Sequence, residues 1–162
     1  SKGFVNFRLD LVFRITLRAC AYYNEFEKPK IIYPKIAMTS RFFYDMSGAY
    51  INDLAFMIPT TDLYLLGILN SKLIWFYLKN VCSTLGNPEN RGRLMLYTSD
   101  VSKIPIVDPI SLKRIHVEKL VNNFLTYGSN IPEAAGWQQE IDRIVYEIYG
   151  LTDEEIALVE GH

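Results

Sequence analysis

Between residues 30 and 58 the chain sets short runs of β-branched and aromatic residues between breaks that no helix crosses comfortably. The runs are Lys30-Ile31-Ile32-Tyr33, Phe42-Phe43-Tyr44-Asp45, Ala49-Tyr50-Ile51-Asn52 and Leu54-Ala55-Phe56-Met57-Ile58. Pro34, Met46-Ser47-Gly48, Asp53 and Pro59 punctuate them. Side chains of this kind suit a pleated surface, so the pattern predicts strands of a mostly antiparallel sheet. Between the first two runs lie Lys35, Thr39, Ser40 and Arg41, which are donors with no acid among them. A sheet that holds out such a loop offers a surface for an anionic partner.

Past the sheet the periodicity changes. Leu63–Val81 places Leu66, Leu69, Leu73 and Phe76 at helical spacing, and Leu65, Ile68, Trp75 and Leu78 widen the stripe. This predicts one buried central helix, with Thr61 or Asp62 as its N-cap. Asn70-Ser71-Lys72 interrupts its apolar run, leaving less than the ~20 residues a bilayer needs. No membrane partner is expected.

Cys82–Arg93 is a second irregular loop, rich in Gly, Asn, Ser and Pro and carrying Arg91 and Arg93. Small hydroxyls, a flexible backbone and arginines suit phosphates and base edges. A plain surface loop would have the same composition. Leu94–Tyr97 then reads as a short strand and Val101–Val107 as an extended segment broken by Pro105. Beyond Asp108-Pro109 the pattern is helical: Leu112, Ile115, Leu120, Phe124 and Tyr127 before Gly128, and Trp137, Ile141, Ile144, Val145 and Ile148 before Gly150. Thr152-Asp153-Glu154-Glu155 is a capping box for a last helix. The fold class is therefore α+β: a mixed, mostly antiparallel twisted sheet, a buried central helix and a C-terminal helical segment. The expected division is 1–108 for the recognition domain, 109–160 for a helical spacer or docking segment, and 161–162 for the start of a purification tag.

At the N-terminus, Val5, Phe7, Leu9, Leu11 and Phe13 alternate with polar residues, which predicts a half-buried strand with Arg8, Arg14 and Arg18 on one face. Charge is uneven along the chain. Residues 1–132 hold 16 Lys+Arg and 10 Asp+Glu (+6), residues 133–162 hold 1 and 8 (−7), and the sum is the overall −1. A basic body and an acidic tail imply different partners for the two, although two solvated faces of opposite sign would give the same totals. The two cysteines, Cys20 and Cys82, lie far apart and read as small buried hydrophobes of a reducing cytoplasm. His116 has no cluster around it, and the acids Glu140, Asp142, Glu147 and Asp153–Glu155 fall on helix faces or caps. No metal site and no catalytic residue are expected.

FEKPKIIYPKIA, then a sheet, then YLLGILNSKLIWFYLKN, a Ser-Thr loop, IPI and the closing IDRIVYEIYGLTDEEI together resemble the TaqI-like C-terminal specificity domain. That domain is the target recognition domain of adenine-specific DNA methyltransferases and of combined, type IIG restriction-modification enzymes. The resemblance runs from about Leu17 to Val159. It implies a cytoplasmic module that reads double-stranded DNA for a methyltransferase domain of the same parent chain, in a parent that uses S-adenosylmethionine and is able to carry an endonuclease. Methyltransferases of this kind need an Asn/Asp-Pro-Pro-aromatic segment to grip a flipped base, and Asn87-Pro88-Glu89 is not one. No Gly-x-Gly loop for a cofactor is present either. The expected site is thus non-catalytic: Lys35, Thr39, Ser40, Arg41, Asn52, Ser83, Thr84, Asn87, Asn90, Arg91 and Arg93, with the arginines placed for guanine or phosphate. A protein-interaction domain, docking through its sheet or its acidic helices, is the competing expectation.

Overall fold

The computed structural model describes residues 23–86, 92–107 and 112–161. The expected N-terminal strand and the shared face of Arg8, Arg14 and Arg18 lie outside the described residues, as does Cys20. The α+β architecture is present, with its strands divided between two small sheets. In the first, β1 (Lys30–Pro34) lies between β3 (Phe43–Asp45) and β4 (Ala55–Pro59), antiparallel to both. Ile32 faces Phe43 on one side and Met57 on the other. In the second, β6 (Arg93–Met95) lies between β2 (Ile36–Ala37) and β5 (Thr84–Leu85), again antiparallel.

Lys35 is the hinge between the sheets. Its N–H donates to Leu54 C=O at 2.8 Å beside the first sheet, and its C=O accepts from Leu96 N–H at 2.8 Å beside the second. One residue at the bend between β1 and β2 therefore serves both ladders.

The predicted strand Ala49–Asn52 does not form. Asp45 captures the local donors instead, accepting from Ser47 N–H at 3.1 Å, Ser47 Oγ–H at 2.6 Å and Ala49 N–H at 3.1 Å. Gly48 takes φ +73° within this turn, and Asn52 Oδ1 accepts from Leu54 N–H at 3.0 Å to make a second one. Short side-chain acceptors here outcompete ladder pairing.

The helix expected over Leu63–Val81 is two helices, α1 (Leu63–Leu69) and α2 (Lys72–Val81). Asp62 caps the first by accepting from Leu65 N–H. Ser71, in extended backbone at φ −73° and ψ 155°, caps the second by accepting from Ile74 N–H. Asn and Ser favour caps over helix interiors because their side chains compete for backbone groups. The residues that interrupt the apolar run thus interrupt the helix as well. Val101, read as extended, ends a helical turn, α3 (Thr98–Val101), and the chain straightens only after Ile104.

α4 (Leu112–Tyr127), α5 (Pro132–Tyr149) and α6 (Asp153–Glu160) complete the chain. Gly128, Gly150 and Gly161 stand just beyond them with left-handed φ, and the Thr152–Glu155 capping box is formed in both directions. The buried stripe of α4 is Val117, Leu120 and Val121, with Phe124 partly covered. Leu112, Ile115 and Tyr127, expected on that stripe, are exposed, Leu112 at 83%. The reason is Gly67 of α1. A Cβ at Gly67 would stand 2.6 Å from Val117 Cγ1 and 3.0 Å from Val121 Cγ2, so the missing side chain lets α4 seat on those valines. One core runs from Ile31 and Tyr33 through Ile68, Leu78 and Leu96 to Val117, Ile144 and Val145. Cys82 is buried in it as a free thiol. No helix among the described residues is long and apolar enough to cross a membrane.

Candidate functional site

The β2-β6-β5 sheet gathers most of the expected site. Arg93 opens β6, exposed, with Leu85 as its pairing partner. Thr84 lies on β5 opposite Leu94, and Ser83 just before it accepts from Met95 N–H at 2.8 Å through its backbone. Ala37 pairs with Leu94, so the chain leaves β2 toward Thr39–Arg41 at the end of the sheet where Arg93 stands. Lys35 and Ser83 flank the opposite end, beside Leu96 and Met95. Adjacent strands are about 4.8 Å apart, so the three paired strands span roughly 10 Å across. Asn87, Asn90 and Arg91 lie outside the described residues.

The individual side chains divide into those facing solvent and those committed to the scaffold. Arg41 is exposed and its Nε donates to Thr39 Oγ1 at 3.2 Å. Ser40 is committed, because its hydroxyl donates to Leu69 C=O at 2.7 Å. Asn52 spends its carbonyl oxygen on its own turn, next to the Leu54 carbonyl that Lys35 contacts. Pairing partners share a face, which puts Ile36, Leu85, Arg93 and Met95 together outward and Ala37, Leu94 and Thr84 on the other face, where Thr84 is still exposed. Ile36 and Leu85 remain 37% and 40% exposed. Sequence reading passed over these apolar neighbours of Arg93. Their signal is the two-residue period of strands too short to display it.

Two lysine-bearing phrases prove to be scaffold. In Glu27-Lys28-Pro29-Lys30-Ile31, Lys28 pairs with Glu25 at 2.6 Å, while Lys30 is fully buried. Lys30 Nζ donates to Phe26 C=O at 2.6 Å and to Asp45 Oδ2 at 2.5 Å. Burial would push the Asp45 carboxyl up, but hydrogen bonds from Lys30 and Ser47 outweigh it and hold the group below its ordinary value. In Leu69-Asn70-Ser71-Lys72-Leu73, the Asn70 side chain accepts from Phe42 N–H and donates to Phe42 C=O, and Lys72 Nζ pairs with Glu160. Phe42 is buried, its ring 5.2 Å from that of Tyr33. The break between α1 and α2 is thus the anchor of the Thr39–Arg41 loop.

Several carboxylates of the C-terminal helices are engaged with cations and a hydroxyl of the same helices. Glu140 pairs with Arg143 at 2.7 Å, Glu147 with Lys113 at 3.0 Å and with Arg143, and Glu160 accepts from Tyr146 Oη at 2.7 Å. His116 is exposed, its Nδ1 4.0 Å from Glu140. Asp142 is buried, and burial pushes its carboxyl up against the opposing pull of the Lys72 amide and Gln138. Among the described residues no three His, Cys, Asp or Glu side chains stand together as a metal site would require.

The chain resembles a solved structure described as the type IIL restriction-modification enzyme MmeI in complex with DNA, with a TM-score of 0.67 at 18% identity. The likeness covers 81% of this chain and 20% of that one, so this chain spans about a fifth of the enzyme it matches. No curated protein matches it. A family model described as the TaqI-like C-terminal specificity domain matches residues 4–106, which is more than half of the chain. That match begins ahead of Leu17 and so takes in the N-terminal stretch that the sequence phrases left out. By this match, and with the paired sheets and anchored loop it covers, the chain belongs to the TaqI-like C-terminal specificity domain family.

Proposed function

We propose that this chain is a target recognition module that reads double-stranded DNA, with the chemistry carried elsewhere in a longer parent. The observation that carries the reading is that Arg93 and Ser83 stand on one small sheet that bears no carboxylate in its strands, with Lys35 and the Thr39–Arg41 loop adjoining its ends. The family's description as a specificity domain and the DNA in the MmeI structure support it. Lys35 holds phosphate and helps set register, Arg41 and Arg93 clamp phosphates or read guanine, and the hydroxyls of Thr39 and Ser83 read base edges. Asn87, Asn90 and Arg91, outside the described residues, belong to the proposed interface by sequence alone.

In this reading residues 1–108 recognise DNA and 109–160 space or dock the module. The parent is an adenine methyltransferase that uses S-adenosylmethionine, with or without an endonuclease, in the cytoplasm. Exposed Leu112 and Ile115 favour a second role for the helical part, as a contact for the methyltransferase domain of the same parent. Binding isotherms on duplex DNA at two salt concentrations test the main reading. Affinity that falls as salt rises is expected. A chain that binds a protein partner but shows no duplex affinity at low salt belongs to the competing class.

A further inference from the structure

Asp142 lies far from the proposed DNA surface in sequence and belongs to the helical segment that the family match does not reach. Its Oδ1 nevertheless accepts a 2.8 Å hydrogen bond from Lys72 N–H, 70 residues away, at the first turn of α2. The first amides of a helix have no partner within it. Ser71 satisfies Ile74 N–H, and Asp142 satisfies Lys72 N–H from another helix. Gln138, one turn earlier on α5, places Nε2 3.4 Å from both Asn70 C=O and Asp142 Oδ1. Two side chains of α5 therefore hold the backbone of residues 70 and 72.

The other side of that junction holds the loop. Asn70 clamps both backbone groups of Phe42, and Leu69 C=O accepts the Ser40 hydroxyl. Arg41 lies between these two anchored residues. Hydrogen bonds thus join α5 to the helix break, and the helix break to Ser40 and Phe42, the two residues that flank exposed Arg41.

We propose that Asp142 is a positioning residue for base recognition, holding the α1–α2 junction so that the Ser40–Phe42 loop presents Arg41 in one pose. This rests on the DNA-reading function proposed above. Asp142 is 2% exposed, and its Oδ2 finds no hydrogen-bond partner among the described residues. A half-satisfied carboxyl in a core is costly, and an apolar residue of similar size would pack there more favourably. Ordinary packing does not account for an acid at that cost, whereas fixing the junction does. The positive end of the α2 dipole offsets part of it.

The test uses the whole chain and a duplex that it selects from a randomised pool. Affinities for the selected and a scrambled duplex are measured at one salt concentration, together with amide hydrogen exchange at Ser40–Phe42. Asp142→Leu is expected to lower the selected-to-scrambled ratio by about fivefold, the loss of one hydrogen bond's worth of order, and to speed exchange in the loop. Asp142→Asn keeps an acceptor toward Lys72 and is expected to stay within about twofold of the parent ratio. An unchanged ratio in Asp142→Leu, or an Asn variant as impaired as Leu, overturns the inference. Should Asp142→Leu fail to fold, Gln138→Leu carries the same expectation, and an unchanged ratio there overturns it equally. A chain that selects no duplex overturns the DNA reading along with this inference, whereas selection with an unchanged ratio overturns this inference alone.

Discussion

The Asn70 carboxamide exchanges two hydrogen bonds with the backbone of Phe42, accepting from its N–H at 3.0 Å and donating to its C=O at 2.9 Å. It reaches Leu66 C=O at 3.1 Å as well, which ties the end of α1 to the loop in one side chain. A carboxamide can act as donor and acceptor at once, and this position uses both capacities. Asn70→Ala leaves the buried Phe42 backbone unpaired and is expected to cost about 2 kcal/mol in chemical denaturation. Asn70→Asp keeps the acceptor and loses the donor, so a loss between those of the parent and Ala is expected. Equal stability of all three proteins would show that the clamp contributes nothing.

Gly67→Ala places a methyl 2.6 Å from Val117 Cγ1. Overpacking of this order costs roughly 1–3 kcal/mol. A lowered thermal midpoint is expected, with partial recovery in Gly67→Ala combined with Val117→Ala. Recovery would locate the strain between α1 and α4; its absence would place it elsewhere.

Arg93→Ala and Arg41→Ala are each expected to weaken duplex binding. Where the arginine holds a phosphate, its removal reduces the salt slope by about one. Where it reads a base, its removal costs about 1–3 kcal/mol on the preferred duplex and relaxes specificity. Ser40→Ala behaves differently, because its hydroxyl is spent on Leu69 C=O. It should lower stability and leave the salt slope unchanged, which a titration across salt concentrations checks directly.

Asp45 has a folded-state carboxyl held below its ordinary value, despite burial, by Lys30 and Ser47. The unfolded chain therefore binds that proton more readily than the folded one. The resulting stabilisation is complete above the ordinary aspartate value of about 4 and is lost as pH falls through the lowered folded value. Asp45→Asn should flatten the acid limb of the stability profile below about pH 4. It also strands the buried Lys30 ammonium and is expected to cost about 3 kcal/mol at neutral pH. An acid limb with the parent's slope would show that another carboxylate governs it.

Local chemistry was legible in the sequence wherever it is settled within a few residues. The cap expected at Thr61 or Asp62, which falls on Asp62, the Thr152–Glu155 capping box, the glycine at Gly150 and the apolar face of α5 are all settled by residues within their own helix or at its ends. Some failures arise because a distant partner decides, and others because a nearby side-chain acceptor outcompetes the regular pattern. The stripe on α4 rotates toward Val117 and Val121 because Gly67 lies opposite, 50 or more residues away. Ala49–Asn52 has good strand composition, but Asp45 diverts its donors. Lys30 reads as the opening residue of a strand run, and that its ammonium is buried depends on Asp45, 15 residues on. At the site, the two loops were nameable from their residues, whereas the strand pairing that joins them through β2, β6 and β5 was not. Pairs such as Ala37 with Leu94 leave no local mark.

The β2-β6-β5 sheet has an evolutionary consequence. Its strands total seven residues, while the anchors that hold its neighbourhood, Asn70, Ser71 and Lys30, lie in other elements. Exposed residues of these short strands, such as Ile36, Leu85 and Arg93, are thus replaceable with little penalty to folding. Selection on what the surface recognises and selection on whether the chain folds act on different side chains, and new preferences become accessible by single steps.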